Sequence, residues 1–182
     1  TRGFDVDRAR IQLSGKAYDF DYAISGQWSE TDFELKDAFL GGDFGGFYVK
    51  AGQFVTKFFD GYVSDPTTLV DGDYSITALT YGQGYSEGIE VSRDFDAFTV
   101  YASYNDGFNT DNSSFGDNDY GYSARVEFDA FDNFTVGGAF ARQNTAAQDY
   151  DSYTVDAAAK FWGFDFNAAY VAANWNDNWN NY

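Results

Sequence analysis

The sequence predicts an all-β chain, a transmembrane antiparallel up-and-down β-barrel, on three observations. Apolar and polar residues alternate with a period of two in stretch after stretch, the pattern of strands with one apolar face. No apolar run approaches the roughly 18 residues of a membrane helix. The apolar residues are also of an unusual kind: 20 Phe, 15 Tyr and 4 Trp make up 21% of the 182 residues, with no Met. A water-soluble core is normally filled with interdigitating aliphatics, whereas aromatics spaced along short strands suit a wall that meets a membrane interface. A chain that crosses a bilayer without an apolar helix must do so as a barrel, because only closure satisfies every backbone polar group in lipid.

Taken in order, the first strand sets Ala9, Ile11 and Leu13 against Arg8, Arg10, Gln12 and Ser14, with Phe4 and Val6 on the wrong parity and a bulge expected near Arg8. A turn over 15–19 leads to Phe20, Tyr22, Ile24, Gly26 and Trp28. The stretch 33–54, FELKDAFLGGDFGGFYVKAGQF, reads as a hairpin. Phe33 and Leu35 oppose Glu34 and Lys36, and Phe47, Val49 and Ala51 oppose Tyr48, Lys50 and Gly52. Asp37 breaks the apolar row, which predicts a bulge or a subunit contact there. Gly41, Gly42, Gly45 and Gly46 supply the positive-φ freedom of a tight reversal. Residues 55–86 are too long for a turn and too polar for a core, and a loop above about 12–15 residues usually has a function.

The alternation resumes at Ile89 and Val91, turns through DFDA, and continues with Phe98, Val100, Ala102 and Tyr104. A polar connection, 105–119, precedes Tyr120, Tyr122, Ala124, Val126 and Phe128, whose opposite face carries Gly121, Ser123, Arg125 and Glu127. After DAFDN come Phe134, Val136, Gly138 and Phe140, then a polar loop over 144–151. The last pair sets Tyr153, Val155, Ala157, Ala159 and Phe161, then Phe164, Phe166, Ala168 and Tyr170, around a minimal Trp162–Gly163 turn. Asp156, Lys160, Asp165 and Asn167 lie opposite. These strand candidates, of about nine to twelve residues, match the 9–11 that a tilted strand needs to cross a bilayer. Short turns alternate with longer polar connections, except at 29–32, as they do on the two rims of outer-membrane barrels.

Composition excludes several chemistries. With no cysteine and no histidine, thiol nucleophiles, disulfides, His-based triads and the usual zinc and haem ligands are absent. The net charge of −18 argues against nucleic-acid binding, which needs Lys and Arg to neutralise phosphates. The many Asp and Glu show no isolated pair of the kind a glycosidase uses, so no enzyme is expected. Asp71 and Asp73, or Asp117, Asn118 and Asp119, carry oxygen ligands suited to calcium, but their spacing fits no regular motif and a solvated loop is the preferred reading. The alternative to the barrel is a secreted β-sandwich that binds carbohydrate through surface aromatics, and calcium through its loops. It would bury its apolar faces.

The hairpin and the segment after it, ELKDAFLGG, then FYVKAGQF, then the acidic stretch from Val55, resemble Gram-negative outer-membrane porins, both general-diffusion and phosphate-selective. The resemblance is good over 8–73 and only architectural from Ile89 onward, and it rests on the order and spacing of the elements rather than on one specific motif. It implies a water-filled channel for passive diffusion of small hydrophilic solutes and ions, set in the lipid and lipopolysaccharide of a bacterial outer membrane as a homotrimer. It also implies a 16-stranded barrel, of which 1–182 form a single incomplete domain, with 55–86 as an infolded constriction loop. Ten strands closing on themselves is the other geometry, but a long infolded loop would crowd so narrow a lumen. Under the resemblance, Arg8, Arg10, Lys36 and Lys50 form a basic wall of the constriction, facing Asp60, Asp65, Asp71 and Asp73 in the loop. An inward Arg or Lys also commonly pairs with a neighbour such as Glu34, and a loop Asp commonly stays solvated. The chain has 11 basic against 29 acidic residues, short of the cationic ladder that phosphate selectivity needs, so weak cation preference is expected.

Overall fold

The computed structural model describes residues 9–29, 32–58, 84–108, 119–131, 133–144 and 149–176. Ten strands form one antiparallel sheet in strict chain order: β1 (Ala9–Ala17), β2 (Phe20–Trp28), β3 (Phe33–Phe44), β4 (Phe47–Val55), β5 (Tyr85–Asp94), β6 (Phe98–Asn105), β7 (Tyr120–Phe131), β8 (Phe134–Asn144), β9 (Asp149–Phe161) and β10 (Phe164–Asn176). Each pairs with its sequence neighbours, which is the up-and-down meander that the alternation predicts. Among the described residues β1 and β10 have one ladder partner each.

From β2 to β9 the apolar row of each strand is the more exposed one, while β1 and β10 are open on both faces over most of their length. Ile11, Leu13, Ile24, Leu40, Ile89, Val126, Val155 and Tyr170 are open on one face, while Ser25, Glu90, Ser103, Ser123, Arg125, Gln143, Ser152 and Thr154 are buried on the other. That distribution inverts a water-soluble protein, where an extended exposed apolar face would be a liability. It also removes the sandwich reading, which requires two sheets packed through their apolar faces.

Aromatic rings mark both ends of the apolar face. Towards the short turns Phe20 lies 6.2 Å from Phe44 and Phe95 stacks on Phe98 at 4.9 Å. At the opposite strand ends Trp28 meets Phe33 at 4.7 Å, and a row runs from Tyr104 through Tyr120, Tyr122 and Phe140 to Tyr153. Rings with an apolar body and a wet edge collect at such borders.

The β3–β4 turn is tighter than the sequence alone indicates, while the minimal Trp162–Gly163 turn is as expected. Gly45 and Gly46, both at positive φ, form the β3–β4 reversal, whereas Gly41 and Gly42 lie inside β3. Gly41 is there for space: a Cβ would collide with the Tyr48 hydroxyl. The β9–β10 turn is Trp162–Gly163, both residues at positive φ. Strands β8 and β9 extend to Asn144 and from Asp149, so the polar loop between them is shorter than predicted. The break at Asp37 is a β-bulge. Ile24 pairs with Ala38 and Gly26 with Leu35, so Ser25 faces both Lys36 and Asp37. Ser25 Oγ donates to Asp37 Oδ2 at 2.6 Å and accepts from the Asp37 amide at 3.0 Å. The extra residue keeps Phe33 and Leu35 on the same face as Ala38, Leu40 and Phe44. The bulge expected near Arg8 lies outside the described residues.

Candidate functional site

Of the predicted basic positions, Arg10, Lys36 and Lys50 all project from the polar face, and each has a partner. Arg10 Nη2 donates to Gln27 Oε1 at 3.1 Å across the β1–β2 ladder. Lys36 pairs with Glu34, its ammonium 5.2 Å from the centre of the Tyr85 ring. Lys50 Nζ sits 2.9 Å from Glu90 Oε1, its cross-strand partner, and 4.1 Å from the centre of the Phe54 ring. Arg10, Gln27 and Glu34 are in register and Glu34 holds Lys36, so these four side chains form one polar row. Lys50 pairs with Gly41, well along β3 from that row. Arg8, Asp60, Asp65, Asp71 and Asp73 lie outside the described residues, as do Asp71, Asp73, Asp117 and Asn118 as calcium candidates.

The densest charge cluster on the polar face runs further, from β4 to β9. The Lys57 amide donates to Glu90 Oε2 at 2.8 Å, while Lys57 Nζ reaches Glu127 Oε1 at 3.4 Å. Tyr101 Oη donates to Glu127 Oε2 at 3.0 Å, and Arg125 Nε to Glu127 Oε1 at 3.0 Å. Arg125 then grips Asp156 with both terminal nitrogens, each at 2.7 Å. Cations and carboxylates alternate from Lys50 through Glu90, Lys57, Glu127 and Arg125 to Asp156, so the cluster compensates its own charge. Paired and hydrogen-bonded in this way, buried charges are tolerable, and removal of any one leaves its neighbour exposed to the full desolvation cost.

Register explains how a residue on β7 reaches one on β9. Glu127, Gly137 and Asp156 lie opposite one another on three adjacent strands. A Cβ on Gly137 would overlap the Arg125 guanidinium and the Asp156 carboxylate, so glycine opens the passage between them. The Arg125 side chain is only 1% exposed, which makes it a structural tie rather than a group facing water.

Two connections leave the sheet over this polar face. After β4 the chain turns at Thr56–Phe58, and Arg125 Nη1 donates to the Phe58 carbonyl at 3.2 Å. Phe58, with no exposed surface, joins Phe108, Ala141 and Tyr150 in one apolar cluster, flanked by Ala139 and Val171. Alternation alone does not distinguish Arg125, Glu127, Asp156 and Glu90 from ordinary polar-face residues. The signal that marks them is the run of small residues around them on that face, Gly121, Ser123, Gly137, Ala139, Ala141 and Ser152, which leaves room for side chains arriving from elsewhere.

No protein-family model matches the chain, and no curated protein matches it in sequence. Solved structures do match. A porin aligns with 90% of this chain and 59% of its own length, at 19% identity and a TM-score of 0.54. A triple mutant of the Rhodopseudomonas blastica porin covers 92% of this chain and 74% of its own, at 15% identity and a TM-score of 0.49. A loop-deletion mutant of OmpT, an outer membrane protein of Vibrio cholerae, covers 94% and 74%, at 13% identity and a TM-score of 0.47. The chain thus spans 59% of the length of the first of these porins. This chain has the all-β, up-and-down fold of the bacterial outer-membrane porins.

Proposed function

We propose that this chain forms the wall of a porin in a Gram-negative outer membrane, a water-filled channel through which small hydrophilic solutes and ions diffuse passively. The observation that carries the reading is the inverted sheet, apolar and aromatic on the face left open, polar and charged on the face left buried. A surface of that kind is stable against hydrocarbon on one side and water on the other. Among the described residues β1 and β10 each have one unpaired edge, and in lipid such an edge requires a further strand, which accords with a barrel larger than ten strands. Lipid and lipopolysaccharide meet the apolar face, and the assembly is a homotrimer, as the resemblance to porins implies.

The stretch 55–86 is the constriction loop in this reading. Its support is the path of Lys57 and Phe58, which leave β4 and are held against β7. Arg8, Arg10, Lys36 and Lys50 supply basic charge to the conduit, and Asp60, Asp65, Asp71 and Asp73 the opposing carboxylates. Fixed charges facing one another across a narrow aqueous section orient dipolar solutes and set ion preference. The net charge of −18 tips that preference towards cations. Planar-bilayer recording of the complete polypeptide across a KCl gradient is expected to show stepwise conductance and a reversal potential of the sign for K⁺ moving faster than Cl⁻. The opposite sign contradicts cation preference, and a membrane that stays insulating contradicts the channel.

A further inference from the structure

The β6–β7 connection reads as a plain polar loop, yet its first residues turn onto the polar face. The Asp106 amide donates to Glu87 O at 3.1 Å, which carries the β5–β6 ladder one step past the strand end. Gly107, at φ +108, then bends the chain inward. Three side chains hold the bend. The Gly107 amide donates to Asn105 Oδ1 at 3.0 Å, Ser86 Oγ donates to Gly107 O at 2.5 Å, and the Phe108 amide donates to Gln143 Oε1 at 2.6 Å. Asn105, Ser86 and Gln143 are all buried, so these polar groups are committed to the bend rather than to water.

The Phe108 ring, 2% exposed, lies over Gly121, where any Cβ would stand 2.8 Å from it. Asn105, Gly121, Gln143 and Tyr150 are opposite one another on β6 to β9, so the ring rests on a single cross-strand row. Its apolar cluster is the one that takes Phe58. Two connections that start on different hairpins therefore meet at one small-residue floor. A large ring buried inside an otherwise polar face gains the ordinary hydrophobic stabilisation of its area, and two rings that share one cluster each depend on the other to exclude water.

We infer that Phe58 and Phe108 are paired positioning residues that brace the starts of the β4–β5 and β6–β7 connections against one wall, so that two connections, not one, set the width of the conduit at this level. The inference rests on the porin reading for its functional consequence, and on Phe58, Phe108, Asn105 and Gln143 for the brace itself.

The test has two readouts on the complete, folded protein. In single-channel recordings, Phe108→Ala and Phe58→Ala should each raise conductance by roughly 1.5-fold, because the cross-section of the narrow part governs ion flow. The double variant should add little to the larger single effect, since one cluster is being removed. A Phe108→Ala channel with unchanged conductance beside an altered Phe58→Ala channel overturns the inference. If Phe108→Ala fails to fold, Gln143→Leu, which keeps the ring but deletes the acceptor for the Phe108 amide, should raise conductance in the same way, and no change overturns the inference. The second readout needs no conduction. Phe58→Ala should speed chymotryptic cleavage after Phe108 by about fivefold, because cleavage follows local opening. An unchanged rate overturns the brace whether or not the protein conducts. Faster cleavage in a protein that does not conduct upholds the brace and removes the porin reading instead.

Discussion

Arg125 engages Phe58 O, Glu127 and Asp156 through four of its five N–H donors and so ties the segment after β4 to β7 and β9. Arg125→Met strips Asp156 of its bidentate partner on a buried surface, at a cost of about 3–5 kcal/mol. Urea unfolding in lipid vesicles should show the midpoint falling with the slope unchanged; a midpoint equal to wild type contradicts the assigned role. Gly137→Ala should destabilise for the same reason, since the added methyl displaces a guanidinium that is pinned at both ends. In the Arg125→Met background the same change should cost almost nothing, because the group it would displace is gone. The tie between β7 and β9 was not legible from alternation. Alternation put Arg125, Glu127 and Asp156 on the polar face, but the bond between β7 and β9 depends on register, which places Gly137 between them. Lys50 and Lys36 were legible as polar-face cations, and their pairing with Glu90 and Glu34 matches the simpler alternative that an inward cation neutralises a neighbour.

At the level of the elements, period-two alternation located all ten strands because each has one apolar and one polar face, which leaves little register ambiguity. The bulge at Asp37 was legible as the point where the apolar row of β3 changes parity. Its consequence is testable by deletion. Removing Asp37 takes out the surplus residue, so Phe33 and Leu35 stay in phase with Ala38 and Leu40, and the barrel should still form, minus the Ser25 hydrogen bonds worth about 1–3 kcal/mol. Removing Lys50 from the middle of β4 turns half of that strand inside out and should abolish folding. Heat-modifiable migration of the folded barrel on gels separates the two outcomes, and equal folding of both variants contradicts the assignment of the bulge. The inward turn at 106–108 was not legible. A stretch rich in Asp, Asn and Gly reads as solvated loop, and only the contacts of Asn105, Gln143 and Ser86 show that its first residues face the wall.

For the whole molecule, one asymmetry governs the rest: the rings and aliphatics that would fill the core of a soluble protein face away from it. An excess of Phe and Tyr without Met, strung on short strands, indicated this before any coordinates, because such residues serve an interface better than a packed interior. Alternation by itself sets no limit on the number of strands, since a meander adds strands without changing its local pattern. The most direct test uses the absence of cysteine, which allows single nitroxide labels to be placed without background. Labels at Tyr153, Val155 and Ala157 on β9 in lipid vesicles should be readily reached by oxygen, which concentrates in hydrocarbon, while labels at Ser152, Thr154 and Asp156 should be poorly reached by it. That period-two pattern in this phase is what a lipid-facing wall predicts. The reverse phase, or equal access at both sets of positions, would contradict it.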